Sequence, residues 1–240
     1  MNIKGDDLGL VMSGGGARAA YQVGFLRGLA HHHKEIRFPI ITGVSAGAIN
    51  AAYLANESGS FESRIENLAN IWAGLTIDHV FRVDAPSILM HVGGWAVRLI
   101  MGRASKQVKV RAMVDTEPLR EFLERIFRAE HGCLKGIESN IASGELKGIA
   151  ITASSYSTGQ SITWVHGEDV KHWERAHRES VMSDIQVEHI MASASLPLFF
   201  PAVQVKGEWY GDGGIRLTAP LSPAIHIGAR RILAISTRYL

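Results

Sequence analysis

Pro39-Ile40-Ile41-Thr42-Gly43-Val44-Ser45-Ala46-Gly47-Ala48-Ile49 is the stretch on which the reading of this chain turns. Its apolar opening, Pro39 to Thr42, reads as a buried strand, and Ala46 to Ala55 reads as a helix. Between them lies G-x-S-x-G. A serine on a sharp strand-to-helix turn is held at strained backbone angles, and its close neighbours must lack side chains. Gly43 and Gly47 supply that room. The helix that follows points the positive end of its dipole at Ser45, which favours an alkoxide and an anionic intermediate. Ser45 is the candidate nucleophile. The bland reading is a Gly-rich turn with a solvated serine. The strand before and the helix after favour the catalytic one.

Upstream, Leu8 to Met12 reads as a short buried strand and Ala17 to Ala30 as a helix. Gly14-Gly15-Gly16-Ala17-Arg18-Ala19 joins them. Glycines at a helix N-terminus gather backbone N–H groups into an anion site. Two chemistries use such a site. Gly14, Gly16 and Ala19 match G-x-G-x-x-A, the loop of a nucleotide-binding module. That module expects an acidic residue at the end of the next strand. Here the strand ends in Thr42 and runs into Gly43-Val44-Ser45, with no acid. The other chemistry is an oxyanion hole, built from Gly14, Gly15 and Gly16 with the N–H of Ala46 as a further donor. It leads. Arg18 either fixes the loop or is a solvated first-turn cation.

The rest of the chain alternates strands and helices. Phe61, Ile65, Leu68, Trp72 and Leu75 share one helical face. Leu119, Phe122, Leu123, Ile126 and Phe127 share another, entered at Asp115-Thr116 and left at Gly132. Gly148 to Ala153 and Gln160 to Val165 read as paired strands. Ser183 to Gln186 reads as a capping box before a helix over Val187 to Ala194. Ala202 to Val205 with Glu208 to Tyr210 reads as a hairpin, and Arg231 to Ser236 as a last strand. The fold class is α/β: three α/β/α layers about a mixed, mostly parallel central sheet.

Ser45 needs a base. Asp212 stands out because Gly213 and Gly214 follow it, placing a carboxylate on a tight turn with open space beside it. Most Asp-Gly-Gly runs are plain turns. A triad ending at His226, the only histidine after Asp212, is the rival arrangement.

Taken in order, four motifs resemble the patatin-like phospholipase family. They are Gly14-Gly15-Gly16-Ala17-Arg18, Gly43-Val44-Ser45-Ala46-Gly47, Ala192-Ser193-Ala194-Ser195-Leu196-Pro197, and Asp212-Gly213-Gly214 with Pro220 beyond. The resemblance spans about residues 8 to 236. It implies a Ser45–Asp212 dyad without a catalytic histidine, an oxyanion hole at Gly14–Gly16, and hydrolysis of acyl esters of phospholipids or lysophospholipids. It implies no cofactor and no metal. Ala19 and Thr218 depart from the family's usual glycine and asparagine.

Composition sets the outer limits. At 240 residues, one domain over 1–240 is expected, with the chain's end at Leu240 consistent with a fragment of something longer. Hydrophobic residues at 46% exclude a disordered chain. A net charge of +2 gives no field for nucleic acid. Two acids precede the first apolar run, against a signal peptide, and no apolar run is long enough to span a bilayer. The expected location is cytoplasmic. Ala85 to Val114 contains no acid but holds Arg98, Arg103, Lys106, Lys109 and Arg111 with Trp95. The bland reading is a core-packed helix pair with a solvated basic connection, which suits the helix faces themselves; the functional reading is a lid or membrane-interface insertion over 78–115, touching anionic membrane from the periphery. A catalytically silent domain of this fold is the remaining alternative.

Overall fold

The computed structural model describes residues 7–82, 114–217 and 220–237. Its spine is a nine-stranded sheet. At the centre, β1 (Leu8–Met12) lies between β2 (Ile40–Val44) and β9 (Arg231–Ile235), and β3 (Gly148–Ser155) follows β2; these four run parallel. Beyond β3 the sheet becomes mixed. β4 (Ser161–Gly167) is antiparallel to β3, β6 (Arg178–Met182) is parallel to β4, and β5 (Glu174–Arg175) is antiparallel to β6. β7 (Val203–Val205) and β8 (Glu208–Asp212) form a hairpin, and β8 pairs with the last residues of β3.

Side chains alternate across these strands, so both faces of the sheet are covered. Leu10, Met12, Ile41, Ile149 and Ile151 enter the larger core, while Val11, Ile40 and Ala150 enter the smaller one. The larger face carries α1 (Ala20–His32), α2 (Ala46–Asn56), α3 (Phe61–Ala73), α4 (Glu117–Phe127), α5 (Lys135–Ala142) and α6 (Val187–Ala194). The smaller face carries α7 (Leu221–Ile227), seated through Ala224 and Ile227. The three expected layers are present, unequal in thickness.

Local differences from the sequence reading have physical causes. The helix expected from Ala17 opens as a 3-10 turn, Gly16–Ala19, with Gly16 at φ +55° and Arg18 N–H bonded to Gly15 O at 3.1 Å. α4 stops at Phe127 rather than Gly132, since Arg128 takes a left-handed conformation and Ala129 N–H returns to Glu124 O. The capping box at Ser183 is displaced: Gln186 caps α6, and His189 Nδ1 accepts the Gln186 N–H at 3.0 Å. Ser183 N–H instead bonds Val165 O. The expected lid over 78–115 falls largely on 83–113, outside the described residues. Its two ends are joined by a bridge, Arg82 N–H to Asp115 O at 3.0 Å and the reverse at 3.2 Å. Among the described residues no helix is long and apolar enough to cross a membrane.

His189 is fully buried against Trp164, with ring centroids 4.5 Å apart. Burial, aided by the charge of Lys206 and opposed by Asp184, lowers its pKa from 6.5 to about 4. The folded protein therefore holds a neutral imidazole, while the unfolded chain takes up a proton below about 6.5. That stability is present above the unfolded pKa and is lost as pH falls towards about 4, a total of about 3 kcal/mol. Urea unfolding at pH 7, 5.5 and 4 should show this decline, and His189→Gln should flatten it. A variant as acid-sensitive as the parent would contradict the assignment.

Candidate active site

Register brings the two motifs together. One edge of β3 is occupied by β4 as far as Ser154. On the other edge β2 ends with Val44 opposite Thr152, and β8 ends with Asp212 opposite the next residue, Ala153. The residue after Val44 therefore meets the end of β8. Ser45 Oγ donates to Asp212 Oδ2 at 2.5 Å.

Each partner is fixed from behind. Asp212 is 4% exposed. Its Oδ1 accepts Gly214 N–H at 2.7 Å, its N–H donates to Ser195 O at 2.8 Å, and its carbonyl accepts from Ser154 Oγ at 3.0 Å. Ser45 has φ 57° and ψ −133°, an unfavourable conformation for a residue with a Cβ. Such geometry costs of order 1–3 kcal/mol and persists only where its surroundings enforce it. Here Ser45 N–H donates to Ser193 Oγ at 2.9 Å, and Ser193 Oγ donates to Thr152 O at 2.6 Å.

The glycines around the turn serve close approach. A Cβ on Gly43 would lie 2.5 Å from Gly47 O, and one on Gly47 would lie 2.5 Å from both Met12 O and Ser13 O. α2 is thus pressed against β2 and against the end of β1. A Cβ on Gly213 would lie 2.1 Å from Thr152 O, so the turn after Asp212 packs directly on β3. A Cβ on Gly14 would lie 2.8 Å from Ser45 Cβ, which places the glycine loop beside the serine. Among the described residues, the N–H groups of Gly14 and Gly15 have no acceptor. Ala46 opens α2, so its N–H has no carbonyl to reach within the helix. Free amide donors, where they converge on one point, stabilise a developing oxyanion.

Ser45, Ala46 and Asp212 lie on the wall of an apolar cavity of about 420 Å³. α3 lends Leu68 and Trp72 to it, with Leu75 just beyond the helix end, and α4 lends Leu119, Phe122 and Ile126. These are the two apolar stripes legible in the sequence; part of each faces the cavity as well as the core.

Other expectations fare differently. His226 is not brought to Ser45: its ring stacks on Trp173 at 4.4 Å and 4°, on α7, across the sheet from α2. Arg18 is exposed, and its contact with the loop is its backbone N–H to Gly15 O at 3.1 Å. Ser154 and Ser193 escaped the sequence reading as positioning groups. Ser193 stands in one of the quoted motifs, but nothing local gives its hydroxyl a task. Among the described residues, no three His, Cys, Asp or Glu side chains gather in a way that would hold a metal ion.

A search of curated proteins finds no match. The fold is similar to that of VipD from Legionella pneumophila, with a TM-score of 0.52 at 16% identity over 97% of this chain and 50% of that one. ExoU, in its complex with SpcU from the type III secretion system of Pseudomonas aeruginosa, aligns with a TM-score of 0.37 at 19% identity, over 80% of this chain and 36% of that one. Human GIVD cytosolic phospholipase A2 gives 0.39 at 12%, over 96% and 40%. This chain spans half or less of each of these proteins. The sequence pattern described as patatin-like phospholipase matches residues 10–225, nearly the whole chain. The chain belongs to the patatin-like phospholipase family, a family of lipid ester hydrolases.

Proposed function

We propose that this protein is a serine acyl hydrolase that cleaves acyl esters of phospholipids or lysophospholipids through a Ser45–Asp212 dyad. The observation that carries this reading is the 2.5 Å contact between Ser45 Oγ and Asp212 Oδ2 on the wall of an apolar cavity. Asp212 Oδ2 takes the proton as Ser45 Oγ attacks the ester carbonyl carbon. Negative charge then builds on the former carbonyl oxygen, held by the amides of Gly14, Gly15, Gly16 and Ala46. The proton passes to the departing alcohol oxygen as its bond to carbon breaks. Water, deprotonated by Asp212, attacks the acyl-serine carbonyl; the bond to Ser45 Oγ breaks, Asp212 returns the proton to that oxygen, and the fatty acid leaves. No step calls on a metal or cofactor.

The cavity favours this reading over a nucleotide-binding module. Its walls are leucine, isoleucine, tryptophan and phenylalanine, which suit an acyl chain and leave a nucleotide's polar edges unpaired. The mouth suits a lipid surface too. Leu198, at φ 71° and 69% exposed, and Phe199, 53% exposed, stand on the turn between the cavity residues Leu196 and Phe200. Peripheral contact with anionic membrane is part of the proposal. Sedimentation with phosphatidylglycerol vesicles but not with phosphatidylcholine vesicles is expected; equal binding to both would remove the charge preference.

Mass-spectrometric lipid profiling tests the activity. Wild-type protein incubated with mixed phospholipid vesicles should release free fatty acid and lysolipid. Ser45→Ala should release neither above the protein-free control. Equal release by both would refute the reading.

A further inference from the structure

The dyad is only half of an acyl-transfer site; the glycine loop must also present its amides. A loop of three glycines has little intrinsic reason to hold one conformation. Two of its carbonyls are nevertheless tied down. Ser13 O accepts Gln22 Nε2 at 2.7 Å, and Gly14 O accepts Thr237 Oγ1 at 2.6 Å. Gln22 Nε2 also reaches Ile235 O at 3.4 Å, so both anchors lie on the side of the loop where β9 ends. The peptide bonds here are trans and planar, so each N–H points opposite to the carbonyl of its own peptide. Drawing Ser13 O and Gly14 O towards α1 and β9 turns the N–H groups of Gly14 and Gly15 the other way.

Gln22 is itself held in place. It is fully buried, as is Asn50 on α2. Asn50 Nδ2 donates to Gln22 Oε1 at 3.0 Å and to Ala19 O at 3.2 Å, while Asn50 Oδ1 accepts Trp72 Nε1–H at 2.8 Å. The bonds run without a break from the indole on the cavity wall to the loop beside Ser45. Burying two carboxamides in an apolar core is unfavourable unless their hydrogen bonds are made, and here they are. An apolar pair would fill the same space without fixing the loop.

We propose that Gln22 and Thr237 are positioning residues for the oxyanion loop, and that Asn50 and Trp72 set the orientation of Gln22. This deepens the functional reading above and rests on the Gly14–Gly16 loop being an oxyanion hole. Gln22 and Thr237 touch no substrate; they act through the amides of Gly14 and Gly15.

The test uses a matched pair of soluble substrates, an ester and the thionoester in which sulfur replaces the carbonyl oxygen. Amide N–H groups bond oxygen more strongly than sulfur, so a well-placed hole favours the ester. Gln22→Met keeps the volume and removes the donor. It should lower kcat on the ester by about tenfold or more, a part of the roughly 10²–10³ lost when a single donor is removed outright. KM should hold steady, and the thionoester rate should fall much less. Thr237→Val keeps the shape at the end of β9 and should move the same ratio in the same direction, which protects the test should Gln22→Met fold poorly. Trp72→Phe should give a smaller shift of the same sign. Equal losses on both substrates, or no loss on either, would overturn the positioning role. Ser45→Ala serves as the separate control: if it retained turnover, the reading of the site itself would fall, whatever Gln22 does.

Discussion

Asp212→Asn should leave the protein folded and lower ester turnover by about 10⁴-fold, the scale seen when a catalytic aspartate is made an amide with geometry kept. The substitution is nearly isosteric. The amide oxygen can still accept Gly214 N–H, the bond that now goes to Oδ1 at 2.7 Å. The backbone bonds to Ser195 and Ser154 do not involve the side chain that changes. What changes is the atom facing Ser45. Oδ2 accepts the serine proton at 2.5 Å, whereas an NH₂ group in its place can only donate. Ser45 then attacks with no group to take its proton. Thermal unfolding within a few degrees of wild type, together with the rate loss, would place the effect in chemistry. Full activity in Asp212→Asn with loss in His226→Ala would transfer the base to histidine, against the stacking of His226 on Trp173.

Gly47→Ala should abolish activity and destabilise the protein by several kcal/mol, the reverse of what helix propensity predicts. In an open helix, Gly to Ala gains about 1 kcal/mol. Gly47 lies inside α2, so propensity alone favours the change. Its added methyl, however, would sit 2.5 Å from two backbone carbonyl oxygens, Met12 O and Ser13 O, which cannot swing aside as a side chain would. α2 must shift away from β1, taking Ser45 and Ala46 off the glycine loop. Gly24 and Gly28, on α1, provide the control: a Cβ there meets nothing within 4 Å. Gly24→Ala should raise stability by about 0.5–1 kcal/mol without touching activity. Urea unfolding of the two variants should give shifts of opposite sign. A neutral Gly47→Ala would mean that α2 and β1 are less closely packed than described.

How much of this was legible in the sequence depends on the range over which each feature is decided. The strand of Leu8–Met12 and the start of α2 are local patterns, and both stand where the sequence puts them. The Ser45–Asp212 pair was found by motif, but its cause is register: Val44 and Asp212 face adjacent residues of β3, and no local pattern encodes that. The stripes on α3 and α4 were visible as apolar faces, yet periodicity cannot tell a core face from a cavity wall. Gln22, Asn50 and Thr237 were invisible, because single polar residues in apolar helices or at a strand end acquire meaning only from partners as far as 223 residues away. β6 was missed because Arg178 and Glu179 break its apolar alternation where the strand lies near the sheet edge. α5 is illegible because Ile137 and Ile141 are its only large apolar residues and Gly136 stands in its first turn.

The central claim is that Ser45 is a nucleophile activated by Asp212 at the wall of an acyl cavity. Labelling with a long-chain alkyl fluorophosphonate, read by intact-protein and peptide mass spectrometry, tests it most directly. The account predicts a single adduct on the peptide containing Ser45, absent from Ser45→Ala and formed far more slowly in Asp212→Asn. An adduct that persists in Ser45→Ala, or equal labelling rates in wild type and Asp212→Asn, would contradict it.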